Sequence, residues 1–147
     1  MGAPSIPPSK TFTLAEANAL LPTVKPLVEQ LQTLHQSILR ANQQLSELTQ
    51  KVSAGNGYPI QALTQEIRRL TDDHLRLVER FESALQQLEA LGCMLKDLTI
   101  GLLDFYGLRD GQTILLCWKL GEERIRFWHT LEEGYPGRQP LDADVIS

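Results

Sequence analysis

The sequence predicts an α+β fold: a long antiparallel two-helix hairpin of coiled-coil type, followed by a small antiparallel β-meander of three to four strands. Three observations predict it. Apolar residues recur at alternating steps of three and four from Ala17 to Val52 and again from Ile60 to Leu91, the seam of a heptad pattern. The two stretches are separated by "SAGNGYP", a cluster of turn residues that ends one helix and starts the next. From Cys93 the pattern changes to short apolar runs broken by Asp110-Gly111 and Gly121-Glu122, both hairpin-turn signals.

Taken in order, residues 1–10 ("MGAPSIPPSK") read as a Pro-rich disordered tail without the basic and apolar regions of a signal peptide. Residues 11–147 read as one domain, with the hairpin at 11–92, the meander at 93–130 and a C-terminal arm at 131–147. "TLAE" at Thr13–Glu16 is a capping box, in which the Thr hydroxyl and the Glu carboxylate each satisfy an otherwise orphaned amide. Pro22 and Pro26 interrupt the first seam. Each removes a donor and crowds the preceding turn, so a kink or break is expected there. His74 is the polar exception in the second seam; with the turn centred near Asn56 it faces Ile38, and a histidine tucked at a helix interface with one ring nitrogen bonded accounts for it. His35 lies beside the first seam and reads as surface. At 1.5 Å per residue the helices are on the order of 60 and 50 Å long, which outruns a small sheet and leaves their distal half for solvent, a second copy or a partner.

The turns set the register of the strands. A two-residue turn at Asp110-Gly111 places Tyr106 opposite Leu115, Phe105 opposite Leu116, Asp104 opposite Cys117 and Leu103 opposite Trp118. A turn at Gly121-Glu122 places Trp118 opposite Ile125, Cys117 opposite Arg126, Leu116 opposite Phe127 and Leu115 opposite Trp128. Opposed residues share a face. One face then carries Leu103, Phe105, Ile114, Leu116, Trp118, Ile125 and Phe127, with His129 at its edge, and is the expected core. The other carries Asp104, Cys117 and Arg126 in a row beside Tyr106, Leu115 and Trp128, a mixed patch of interface-like composition. A fourth strand is expected near Met94–Asp97. Lys96 and Asp97 lie on it, on a face that the pattern leaves open. Arg138, in the Gly- and Pro-rich arm, is placed to fold across the outer face and meet Asp104 or an anion; the plainer reading is an arginine in water.

This register separates Cys117 from His129, so the sequence assigns no metal and no cofactor. Asp104 and Cys117 alone are too few ligands. His129 with Glu132 or Glu133 offers a further metal arrangement at the sheet edge, against the plainer reading of a solvated acidic loop. Cys117 has Arg126 as a neighbouring cation but no histidine base in reach, which reads as an inert thiol rather than a nucleophile. No catalytic residue is assigned, and whether the protein is an enzyme stays open. The ligand or interface candidates are Lys96, Asp97, Asp104, Tyr106, Cys117, Glu122, Arg126, Trp128, His129 and Arg138.

The chain of 147 residues is 42% hydrophobic and 22% charged, the profile of one soluble globular domain. Its net charge of -4 opposes a nucleic-acid partner, including an RNA-binding helical arm. No apolar run reaches the roughly 20 residues of a membrane span. Two cysteines without a secretory signal read as free thiols in a reducing, cytoplasmic setting.

"KDLTIGLLDF", "DGQTILLCWKLGEERIRFWH" and "GYPGRQP", with the opening "FTLAEANALLP", resemble a small bacterial domain-of-unknown-function family, DUF2203, over Phe12 to Pro140. The matching positions are Lys96, Asp97, Gly101, Asp104, Phe105, Gly111, Cys117, Trp118, Gly121, Glu122, Trp128, His129, Gly134 and Arg138. The resemblance implies no established activity; some members carry the label division initiation protein. The leading expectation is a non-catalytic interaction or assembly protein, a homodimer or a protein with another protein partner, using the hairpin and the outer sheet face. The alternative is a metal- or small-molecule-binding protein or enzyme with its site on the meander.

Overall fold

The computed structural model describes residues 10–55, 57 and 59–141. Residues 1–9 of the tail expected at 1–10, Asn56 and Tyr58 of the turn, and the end of the arm at 142–147 lie outside the described residues. Two helices, α1 (Leu14–Ala54) and α2 (Ile60–Ala90), precede five strands: β1 (Cys93–Asp97), β2 (Leu102–Arg109), β3 (Gln112–Lys119), β4 (Phe127–His129) and β5 (Gln139–Pro140). The α+β class is as expected, with five strands in place of three or four. They form one antiparallel sheet in the order β1-β2-β3-β4-β5. The chain divides into two compact units, Met1–Glu29 with Gln87–Ser147, and Gln30–Gln86.

The unit Gln30–Gln86 holds the distal lengths of both helices. Its most buried side chains are Leu31, Leu34 and Ala41 on α1 and Leu63, Leu70 and Ala84 on α2. The steps of seven and fourteen residues between 63, 70 and 84 are those of the seam, which keeps one stripe of each helix inward. The rings of His35 and Phe81 lie 6.5 Å apart, across the two helices. His35 is exposed, as expected. Among the described residues His74 Nε2 is buried without a hydrogen-bond partner.

The unit Met1–Glu29 with Gln87–Ser147 carries the sheet. The capping box forms: Thr13 N donates to Glu16 Oε1 at 2.9 Å and Glu16 N donates to Thr13 Oγ1 at 3.1 Å. The expected break does not occur, because α1 runs unbroken through Pro22 and Pro26. Both prolines are exposed and four residues apart, so they share the outer side of the helix, where water can serve the carbonyls they orphan. The opposite side buries Ala17, Leu21, Val24 and Val28. Phe12 is tied to the sheet by its N–H to Tyr106 O at 2.7 Å and sets its ring edge-on against Phe105 at 5.5 Å. Gly92 ends α2 at φ 100°, and a Cβ there would come within 2.7 Å of the Phe12 ring, so backbone and neighbour both demand glycine.

The β2–β3 register is as the sequence predicts, from Leu103 opposite Trp118 to Tyr106 opposite Leu115. Its turn has positive φ at both Asp110 (51°) and Gly111 (78°), the requirement of a type I′ hairpin. The β3–β4 register differs by one residue. Leu115 faces His129, Leu116 faces Trp128 and Cys117 faces Phe127. The connection is not a two-residue turn: β3 ends at Lys119 and β4 starts only at Phe127. Glu122 folds back on β3, its N–H donating to Lys119 O at 3.0 Å and its Oε1 accepting the Lys119 N–H at 2.7 Å. Trp118 Nε1 donates to Glu122 O at 2.9 Å. The loop then drops the buried Ile125 beside α1, where its N–H donates to Asn18 Oδ1 at 2.8 Å. These bonds take up the extra residue, and a one-residue change reverses every side chain of β4.

The two faces follow. Leu103, Phe105, Ile114, Leu116, Trp118 and Trp128 share the apolar face. Phe127 and His129, expected there, lie instead on the face of Asp104 and Cys117. Trp128, expected on the outer face, is 5% exposed on the apolar side, with the Arg109 guanidinium 4.6 Å from its ring.

Candidate functional site

Three elements meet on the Asp104 face. Strand β2 presents Asp104, β3 presents Cys117 directly opposite, and β4 presents His129 one pair further along. One ligand-type atom from each lies within 4.8 Å of the other two. All three are buried, at 3%, 0% and 2% exposure. Burial of a carboxylate, a thiol and an imidazole together is costly unless their protons or a cation compensate them.

The hydrogen bonds fix the roles of the histidine nitrogens. His129 Nδ1 lies 2.7 Å from the Thr130 carbonyl oxygen, which can only accept, so Nδ1 carries a proton. Nε2 lies 3.1 Å from Asp104 Oδ1. Two lone pairs cannot face each other there, so the gap holds a further proton or a cation. Burial keeps the Cys117 thiol protonated, which adds another proton. Without a cation the trio therefore carries two acidic protons beyond the one on Nδ1.

Burial pushes the Cys117 thiol up to about 12, the charge of Asp104 adds to this, and the Arg138 charge partly opposes it. An isolated thiol so held is not a nucleophile. The arrangement also differs from a catalytic Cys–His–Asp triad: one histidine nitrogen is taken by a backbone carbonyl and the other faces the carboxylate, so neither is free to deprotonate the thiol.

It does match the chemistry of a metal centre. Imidazole nitrogen, thiolate and carboxylate are ligands of borderline divalent ions such as zinc. At the usual bond lengths, ligand atoms around a tetrahedral zinc stand roughly 3.3–3.6 Å apart, which small shifts in the observed cluster would reach. A ring nitrogen donating to a backbone carbonyl is the usual outer support of a metal-binding histidine. A divalent cation replacing the two protons leaves the net charge of the buried cluster unchanged.

The C-terminal arm borders the trio. It passes through a short 3-10 turn, Tyr135–Gly137, and returns as β5, pairing Gln139 with Trp128 and Pro140 with Phe127. Arg138 lies over the Phe127 ring at 3.9 Å and the Tyr135 ring at 5.0 Å. Its Nη2 donates to both Glu122 carboxylate oxygens, at 3.1 and 3.0 Å. Burial opposes its charge most, but Glu122, Cys117 and Tyr135 together hold the guanidinium above its ordinary range. Arg138 does fold across the outer face, where it meets Glu122 rather than Asp104.

Of the expected site residues, Asp104, Cys117 and His129 converge, with Glu122 and Arg138 paired beside them. Tyr106 shares the face and is half-buried. Lys96 and Asp97 are exposed on β1, where Asp97 Oδ1 accepts the Thr99 N–H at 2.9 Å. Arg126 is exposed, lies 3.8 Å from Glu123 and precedes β4, so it does not join the row with Asp104 and Cys117 that the two-residue turn predicts. Glu133 bonds with Thr130 near His129, and no group with His129 and Glu132 or Glu133 forms among the described residues. The roles of Phe127, Tyr135 and the Thr130 carbonyl were not read from the sequence. The last is a backbone atom and leaves no sequence signal.

Cys93 and Cys117 are both free thiols. Among the described residues no helix is long and apolar enough to cross a membrane. A family model described as uncharacterized conserved protein (DUF2203) matches residues 10–141. No curated protein and no solved structure matches the chain.

Proposed function

Since the chain belongs to the DUF2203 family, whose description assigns no activity, we propose its function from the site: it is a metal-binding protein, with Asp104, Cys117 and His129 as the three protein ligands of one divalent transition-metal ion. The observation that carries this reading is the direction of His129. Its Nδ1 is committed to Thr130 O, and its Nε2 points at Asp104 within reach of Cys117. The mixed nitrogen, oxygen and sulfur set favours zinc-like ions over calcium or magnesium, which take oxygen. Three protein ligands match the ligand count of open rather than closed zinc sites.

Cobalt(II) titration tests the reading. One equivalent should give tetrahedral d–d bands and a thiolate-to-cobalt charge-transfer band. The thiolate band should vanish in Cys117→Ser, and affinity should fall in His129→Gln. Uptake that is unchanged in both variants would place the ion elsewhere.

A second reading has its own observation. Leu39, Val52, Ile60 and Leu75 are large apolar residues left 53%, 43%, 72% and 53% exposed on the helices. They favour association of the helices with a second copy, the expected homodimer. Sedimentation over a hundredfold concentration range checks it: a dimer that dissociates in Ile60→Glu supports the reading, and a monomer throughout removes it.

A further inference from the structure

We infer that the Asp104–Cys117–His129 centre binds a small oxyanion at its open coordination position, with the Nε–H of Arg138 as the protein donor to that anion. The inference rests on the metal reading above and names the ligand class of the same site.

A tetrahedral ion held by three side chains has one position left. The strand pairing shows what stands beside the three side chains. Phe127 is the cross-strand partner of Cys117, and the Arg138 guanidinium lies 3.9 Å over the Phe127 ring. The Arg138 guanidinium therefore lies on the same sheet face, over the strand next to that of the thiol.

The guanidinium is held on several sides. Its side chain is 14% exposed. Phe127 and Tyr135 both contact it, and both Glu122 oxygens accept from Nη2. Glu122 is in turn fixed by the Lys119 N–H at 2.7 Å. Such a clasp sets the direction of the remaining donors in advance. One of those donors, Nε–H, is buried and has no partner among the described residues. A buried donor without an acceptor is strongly disfavoured. Nε cannot ligate a metal, because a guanidinium nitrogen carries no free lone pair at accessible pH. What it lacks is an oxygen.

The charges select an anion over a neutral ligand. With a divalent ion, one thiolate and one carboxylate, the centre is neutral. Glu122 balances Arg138. Lys119 remains on the same face, its Nζ 3.5 Å from Tyr135 Oη, with no carboxylate paired to it among the described residues. A carboxylate or phosphate with one oxygen on the metal and another accepting from Nε–H would satisfy the open position, the orphaned donor and the unbalanced cation together. The ligand is small, since all three metal ligands are at most 3% exposed.

The experiment uses the full chain loaded with cobalt(II) and titrated with inorganic phosphate. Cobalt content is measured separately in the wild type, Arg138→Gln and Arg138→Lys. The expected result is a saturable change in the d–d bands of the wild type, weakened about tenfold or more in Arg138→Gln at equal cobalt content. Arg138→Lys keeps the charge but loses the fixed donor and should fall between the two. Bands unmoved by phosphate in the cobalt-loaded wild type would overturn the inference while leaving the metal reading intact. So would equal phosphate affinity in Arg138→Gln, or loss of cobalt from that variant. Failure of the wild type to take up cobalt overturns the metal reading and this inference with it.

Discussion

At the scale of single residues, the trio and Cys93 carry the sharpest consequences. His129 and Asp104 compensate each other in a buried setting, so removing one strands the other. His129→Ala should destabilise the metal-free protein by about 3–5 kcal/mol, read as a lower urea midpoint with an unchanged slope. The same change made in an Asp104→Asn background should cost less, because the carboxylate it strands is gone. Cys93 gives a pH dependence remote from the centre. Burial raises its thiol from 9.0 to about 11. The unfolded thiol ionises above about pH 9 while the folded one stays protonated, so the folded state binds more protons in that window. Stability is complete below about pH 9 and falls as pH rises toward 11, by on the order of 1 kcal/mol per pH unit. Cys117, pushed up to about 12, adds a slope of the same sign, so Cys93→Ala should make the fall shallower without abolishing it in urea titrations at pH 8, 9 and 10. The neighbourhood of Asp104 and Cys117 was legible in the sequence because a two-residue Asp-Gly turn fixes it locally. The place of His129 was not, because it depends on bonds made far away.

At the scale of elements, those distant bonds are the ones that set the β3–β4 register. The Gly121-Glu122 pair looks like a hairpin turn and does turn the chain, with Glu122 N bonded to Lys119 O. The strand does not resume there, because the Ile125 amide is claimed by Asn18 of α1, 107 residues earlier. No local pattern announces that bond. The two-residue register takes the strand to begin by Ile125, whereas Arg124 and Arg126 sit exposed in a loop and β4 begins at Phe127. Asn18→Ala should cost about 1–3 kcal/mol, by leaving a buried N–H unpaired, and should lower metal affinity through the altered entry into β4. Asn18→Asp keeps the acceptor and should retain most of both. The N-terminus of α1 was fully legible, since "TLAE" forms both reciprocal bonds of the capping box. Thr13→Ala should lower stability by about 1 kcal/mol and leave metal content unchanged.

At the scale of the whole molecule, the helix–helix–sheet order and the α+β class were legible from periodicity alone, because 3.6- and 2-residue repeats are imposed by burial of one face. The fifth strand was not, because Gln139–Pro140 is two residues long and is defined only by its pairing with β4. That strand brings the arm, and with it Arg138, to the Asp104 face. A cation bound there ties together β2, β3 and β4, so metal should stabilise the folded chain against heat: at a free concentration of one hundred times Kd, by about 2.7 kcal/mol, or roughly 5–10 °C in Tm. The central claim is the metal centre itself, and native mass spectrometry of untagged protein purified without chelators tests it most directly. One divalent metal ion per chain is expected, lost on chelation and absent from Cys117→Ser and His129→Gln. A metal-free mass that persists after incubation with zinc, cobalt and iron(II) would contradict it.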